Sequence, residues 1–128
     1  MREPDQDLDT LAHDVIGAAI DVHPELGPGF LESIYSKALA VELTRRNIQF
    51  LQEAPIQLAY KDEPIGEGRI GLLVEGRLIV ELKAVERLAP IHHAQVMSYL
   101  KITQNTLGLL INFNVEVLRD GIKRIILT

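Results

Sequence analysis

Hydrophobic residues at the start of the chain recur at helical spacing. From Leu8 to Val22 they fall three or four positions apart, which is the spacing of one apolar helix face. Pro24 disfavours helical geometry at the residue before it, so we predict that this first helix ends near His23.

A second helix is predicted after a break at Leu26–Gly29, the segment "LGPG", which is rich in turn residues. Apolar residues from Leu31 to Leu39 keep the helical period. The helix should end near Arg45–Asn47, because cations and Asn suit the negative end of a helix.

The middle of the chain changes to short β-rich segments. We predict three strands in a meander, in "IQFLQEAPIQLAY", "EGRIGLLVE" and "RLIVELKAV", separated by turns at Asp62–Pro64 and Glu75–Gly76. Pro55 in the first strand favours an edge position or a bulge, because Pro cannot donate to a central ladder.

The last third predicts a helix and further strands. A helical stripe begins at Pro90 and ends near Thr103, and "TLGLLINF" from Thr106 is typical of a buried strand. Asp120–Gly121 suggests the two-residue turn of a final hairpin. The order is therefore α, α, β, β, β, α, β with a terminal hairpin, which is an α/β (α+β) domain with a mixed sheet flanked by helices.

Composition narrows the class of protein. At 128 residues the chain is predicted to form a single domain, residues 1–128, and the absence of Cys excludes disulfide frameworks, thiol nucleophiles and zinc-thiolate sites. The formal charge of −5 provides no global basic field for nucleic acid. The acidic N-terminus lacks the basic start and apolar stretch of a secretion signal, and no apolar run approaches the length of a membrane span. We expect a soluble, cytoplasmic protein with no membrane association.

Candidate chemistry begins with Glu81 and Lys83, which alternation places on the same face of a strongly apolar strand. The structural interpretation is an ion pair on a half-exposed face, which is common. The functional interpretation is a hard-metal site for phosphodiester hydrolysis, with Glu81 and a neighbouring backbone carbonyl, that of Leu82, as ligands and Lys83 orienting water or phosphate.

Two polar rows on helices accompany this strand. Gly29, Glu32 and Tyr35 recur every three residues along the second helix. On the third helix, Gln95 and Tyr99 are one turn apart in a polar stripe that starts at His92. Each row has an ordinary explanation as a capped helix start or a solvated face.

Together "GPGFLESIY", "IVELKAV", "AQVMSYLK" and "GLLINFNVEVLRDGIKRI" resemble the GxxExxY family of small bacterial and archaeal proteins in the PD-(D/E)XK nuclease superfamily. The resemblance spans nearly the whole chain and implies an αβββαβ core, with an extra helix and the C-terminal β-hairpin added. It implies that Glu81 is the metal-binding acid and Lys83 the lysine of the (D/E)xK element. It also implies supporting roles for Gln95 and Tyr99 on the helix and for Glu32 as an extra carboxylate.

One position departs from the family pattern. Gly71 stands where the resemblance implies a metal-binding aspartate, and Glu32 is the candidate that could compensate. Two hypotheses follow. The first is a nuclease acting on DNA or RNA with Mg²⁺ or Mn²⁺, impaired by Gly71, that uses Glu81, Lys83, Gln95 and Glu32. The second is a catalytically inactive nuclease-fold module for binding or assembly, as a homodimer or with a protein partner.

Overall fold

The computed structural model describes residues 5–128 as one five-stranded mixed sheet with helices on both faces. The helices are α1 (Gln6–Leu26), α2 (Glu32–Arg45) and α3 (Pro90–Thr103), and the strands are β1 (Phe50–Tyr60), β2 (Glu63–Val74), β3 (Leu78–Lys83), β4 (Leu107–Asn112) and β5 (Ile122–Ile126). The expectation of no secretion signal includes residues 1–4, which lie outside this range. Within residues 5–128, no helix is long and apolar enough to cross a membrane.

The first helix is longer than predicted: it continues to Leu26, and Pro24 lies inside its last turn. Asp5 begins α1 by accepting the backbone N–H of Leu8 at 2.8 Å. The expected end at His23 is wrong. The His23 ring is buried and its Nε2 donates to the carbonyl oxygens of Phe113 and Val115. These hydrogen bonds hold the last turn in place despite the proline. The helix ends instead at Gly27, whose φ of +68° suits glycine.

The sheet has the strand order β1-β2-β3-β4-β5, in which only β3 and β4 pair in parallel. The predicted meander of β1, β2 and β3 is confirmed, and so is the edge position of the strand that contains Pro55. The first hairpin turns at Lys61 and Asp62 rather than at Asp62–Pro64, and both of these residues have positive φ. The predicted Glu75–Gly76 turn is confirmed.

Two apolar cores flank the sheet. One joins α1 and α2 to the side chains of β3 and β4 that include Val80 and Leu109, and the other joins α3 to Ile79, Leu110 and Ile125. Strands β3 and β4 are therefore covered on both faces, which explains their continuous apolar runs. A charged residue in β3 consequently has little access to solvent.

The predicted terminal hairpin is wrong. Residues Leu118–Gly121 form a short 3₁₀ turn, and the single strand β5 that follows pairs antiparallel with β4. Gly121 does not have positive φ; it is needed because a Cβ there would lie 2.2 Å from the carbonyl oxygen of Asn112. The Asp–Gly pair therefore marks a close backbone approach rather than a hairpin turn.

Candidate active site

The N-terminus of α2 is held in place by Tyr35. The buried Tyr35 hydroxyl donates to the carbonyl of Gly27 at 2.6 Å and accepts the N–H of Phe30 at 3.1 Å, while its ring stacks on Phe113 with centroids 4.6 Å apart. Gly29 has a φ of +113°, which favours glycine in this loop. The Gly and Tyr of the GxxExxY row therefore fix the chain at the start of the helix.

Glu32, the acid of the same row, is the first residue of α2 and reaches toward β3. Its Oε1 lies 3.9 Å from Nζ of Lys83, with the lysine side chain 18% exposed and the glutamate side chain 51% exposed. The sequence suggested that Lys83 could pair with Glu81, the acid on its own strand. The structure instead pairs the lysine with the helix acid.

Glu81 is a buried carboxylate with one satisfied oxygen. The residue is 8% exposed, and its Oε1 accepts the backbone N–H of Gly71 at 3.0 Å. Within residues 5–128, Oε2 has no hydrogen-bond or ion-pair partner, and it is open to solvent in the cavity described below. Burial raises the pKa of Glu81, against the opposing effects of the Gly71 N–H and the charge of Lys83.

The carboxylate of Glu81 occupies the point where β2 and β3 separate. Backbone pairing between these strands covers only Leu72–Val74 with Leu78–Val80, so Gly71 and Glu81 lie just beyond its last pair. A Cβ at Gly71 would be 3.4 Å from Oε2 of Glu81. The absent side chain at position 71 therefore leaves room beside the carboxylate.

A cavity of about 530 Å³ opens at this point between α2 and the first three strands. Its charged lining includes Glu32, Lys37, Glu53, Glu81 and Lys83. One wall is closed by a side-chain hydrogen bond of 3.0 Å from Gln52 Nε2 on β1 to Ser36 Oγ on α2. The cavity thus brings together three of the four predicted catalytic residues with Gly71 and Leu82, whose side chain belongs to the first core.

Glu53 is a cavity residue that sequence reasoning missed. Its charge contributes to the raised pKa of Glu81, as does that of Glu32. The strand pattern of β1 marks Glu53 only as one polar residue among several. Its location depends on the register of β1 against β2, which has no local sequence signal.

Gln95 and Tyr99 lie elsewhere. Both are on α3, where Gln95 Nε2 donates to the Tyr99 hydroxyl at 3.4 Å, and Tyr99 packs against the second core. Neither residue lines the cavity around Glu81. His92 has a local role, because its Nδ1 accepts the N–H of Ala89 at the start of α3.

The donor chemistry of the cavity fits a hard divalent cation. In the described part of the chain, no three His, Cys, Asp or Glu side chains converge closely enough to hold an ion as they stand. Mg²⁺, however, usually keeps several waters and takes only one or two carboxylates. The free Oε2 of Glu81 meets that requirement, with Glu32 and Glu53 as further oxygen donors on the same cavity.

The fold and this site define an α/β nuclease-like class, with an acid and a lysine two residues apart on a central strand at a strand separation. The family model for the PD-(D/E)XK nuclease superfamily matches residues 9–125. The chain therefore belongs to that superfamily. Searches of curated proteins and of solved structures gave no match.

Proposed function

We propose that this chain is a GxxExxY-type nuclease that binds Mg²⁺ or Mn²⁺ and hydrolyses phosphodiester bonds of DNA or RNA, at a rate reduced by Gly71. The observation that carries the proposal is the free oxygen of Glu81 at the cavity. Glu81 is shielded from most of the solvent, its Oε2 opens onto the cavity where a cation can reach it, and Lys83 pairs with Glu32 instead.

The location of each residue indicates its role in hydrolysis. Glu81 Oε2 would hold the cation, and the backbone carbonyl of Leu82 would be a further ligand. Lys83 Nζ, largely shielded from solvent, orients the attacking water or balances charge that develops on the phosphate. When bound, such an ion supplies Lewis acidity to a phosphate oxygen and lowers the pKa of a coordinated water.

Glu32 supports the same site through Lys83. Glu32 is the first residue of α2, and its half-exposed carboxylate holds the lysine across the cavity. Gln95 and Tyr99 are not needed for this mechanism in their present positions, and we propose at most a supporting role for α3.

The alternative proposal is a catalytically inactive nuclease-fold module for binding or assembly, as a homodimer or with a protein partner. The glycine at position 71 favours it, because glycine supplies no side-chain oxygen to a site that would ordinarily use a second acid. The two proposals differ in whether the cavity binds a cation.

Calorimetric titration with Mg²⁺ and Mn²⁺ separates them. The wild type is expected to bind, Glu81→Gln to lose binding, and the exposed β2 variant Glu63→Gln to behave as the wild type. Cleavage of plasmid DNA and of a labelled RNA should fall in Lys83→Gln, whereas Lys123→Gln, an exposed lysine on β5, should leave it unchanged. A wild type that neither binds cation nor cleaves either substrate would overturn the nuclease proposal, and a stable dimer or a co-purified protein partner would then support the inactive module.

A further inference from the structure

We propose that Glu53 is the second carboxylate of the cation site, in place of the aspartate that Gly71 cannot supply. The inference rests on the proposed function, since it assigns a further ligand to the same cavity. The second acid of the site would then lie on β1, the strand beside β2.

The register of the sheet brings the two positions together. Gln52 pairs with Leu72 and Ala54 pairs with Ile70, so Glu53 and Gly71 fall opposite each other. Neighbouring strands lie about 4.8 Å apart, a distance within the reach of a glutamate side chain. A carboxylate on residue 53 can therefore approach the space that a side chain on residue 71 would fill.

The backbone at Glu53 departs from ordinary strand geometry. Its φ is +52°, and it interrupts the pairing of β1 with β2 opposite Gly71. A non-glycine residue in this conformation costs roughly 1–2 kcal/mol. Strain of this kind concentrates at functional sites, and here it accompanies a side chain that lines the cavity. The Glu53 carbonyl also accepts a hydrogen bond from Arg69 at 3.4 Å, which supports the kink.

A second observation points to a ligand. Glu81 is 8% exposed as a residue and lines the cavity, where its Oε2 has no protein partner among residues 5–128 and opens to the solvent in the cavity. Glu53 adds a negative charge near this oxygen, where like charges destabilise one another unless a cation lies between them. Solvent reaches the exposed Glu53 and Oε2 of Glu81, and a cation that replaced this water would be attracted by both carboxylates.

Glu32 is less suited to replace the aspartate than the sequence suggested. Its carboxylate already lies against Lys83 Nζ, and transfer to the cation would leave that largely shielded ammonium group without its partner. Glu53 has no ion-pair partner within residues 5–128. It can therefore ligate a cation while the Glu32–Lys83 pair stays intact.

The test is calorimetry with Mn²⁺ on the wild type and four variants, with folding checked by circular dichroism. The variants are Glu53→Gln, Glu63→Gln, Glu81→Gln and Glu53→Gln/Gly71→Asp. Loss of even an outer-shell partner costs about 10–100-fold in metal affinity, so Glu53→Gln should weaken binding at least about tenfold. Glu63→Gln, the matched change at an exposed residue of the same hairpin, should not. The double variant Glu53→Gln/Gly71→Asp should recover the wild-type affinity, because it returns the carboxylate to β2.

The outcomes separate this inference from the proposed function. Wild-type affinity in Glu53→Gln together with lost binding in Glu81→Gln would overturn the role of Glu53 alone. A wild type that binds no Mn²⁺ would overturn both. Weakened binding in Glu53→Gln with no recovery in the double variant would overturn the claim that Glu53 takes the place of residue 71.

Discussion

Gly71→Asp places a second carboxylate beside Glu81 and tests the geometry of the site directly. The backbone at Gly71 is not in the left-handed region, and its Cβ would meet Glu81 Oε2 at 3.4 Å and the Val80 carbonyl at 3.6 Å. Both distances are ordinary contacts. The added Cβ therefore causes no steric clash, and comparison with Gly71→Asn, which has the same shape, isolates the effect of charge on the free energy of unfolding.

The magnitude follows from the separation of the two acids. Unit charges about 4 Å apart interact by about 4 kcal/mol at an effective dielectric constant of about 20. Protonation of one acid relieves part of this repulsion, and the burial of Glu81 favours its protonated form. We expect the metal-free variant to be roughly 1–3 kcal/mol less stable than Gly71→Asn, which has the same shape without the charge.

A divalent cation should reverse the loss. A ligand at about a hundred times its dissociation constant stabilises the native state by about 2.7 kcal/mol. Urea denaturation of the Asp and Asn variants at neutral pH, with a chelator and then with saturating Mn²⁺, measures both effects. Equal stability of the two variants under both conditions would refute the argument, because it would mean that residue 71 and Glu81 do not share a site.

Three further substitutions test other parts of the structure. Glu81→Gln should raise the free energy of unfolding at neutral pH by roughly 0.5–2 kcal/mol. Because the pKa of Glu81 is raised in the native state, the wild type is favoured at low pH and loses that contribution as the pH rises above the ordinary value of 4.5, so the gain of the variant should vanish on acidification. A gain independent of pH would contradict this assignment. Tyr35→Phe leaves the Gly27 carbonyl and the Phe30 N–H without the hydroxyl and should cost about 1–3 kcal/mol in urea denaturation, whereas a change near zero would show that water replaces it. Gly121→Ala should lower stability by at least about 1–3 kcal/mol, because its Cβ would overlap the Asn112 carbonyl. The control Gly17→Ala in α1 should raise stability slightly. Equal thermal midpoints for the two variants would contradict the close approach at Gly121.

Local signals explain which parts of the fold could be predicted from the sequence. The interval Pro90–Thr103 of α3 is confirmed, because a proline at its start and a helical period define it within a few residues. The Glu75–Gly76 turn is also confirmed, because its signal too lies in neighbouring residues of the sequence. By contrast, the requirement for glycine at position 121 comes from the carbonyl of Asn112 on another strand, so the local Asp–Gly pattern indicated the wrong structure.

The candidate site divides in the same way. Glu81 and Lys83 could be found from alternation in a single apolar strand, and Glu32 from its row with Gly29 and Tyr35. The cavity location of Glu53 depends on strand register and on a backbone angle that no pattern within β1 encodes. Gln95 and Tyr99 show the converse, since they are neighbours on α3 as predicted but lie away from the cavity.

The charge of the cavity connects the acidic composition to nucleic acid. Its ionisable lining consists of three carboxylates, on Glu32, Glu53 and Glu81, and two ammonium groups, on Lys37 and Lys83. With all five ionised the cavity is negative and repels a phosphodiester. One divalent cation changes the sign of the total, so in the proposed function the cation is required for substrate to approach as well as for chemistry. The overall charge of −5 is then compatible with a nucleic-acid substrate, because the attraction is local and depends on the cation.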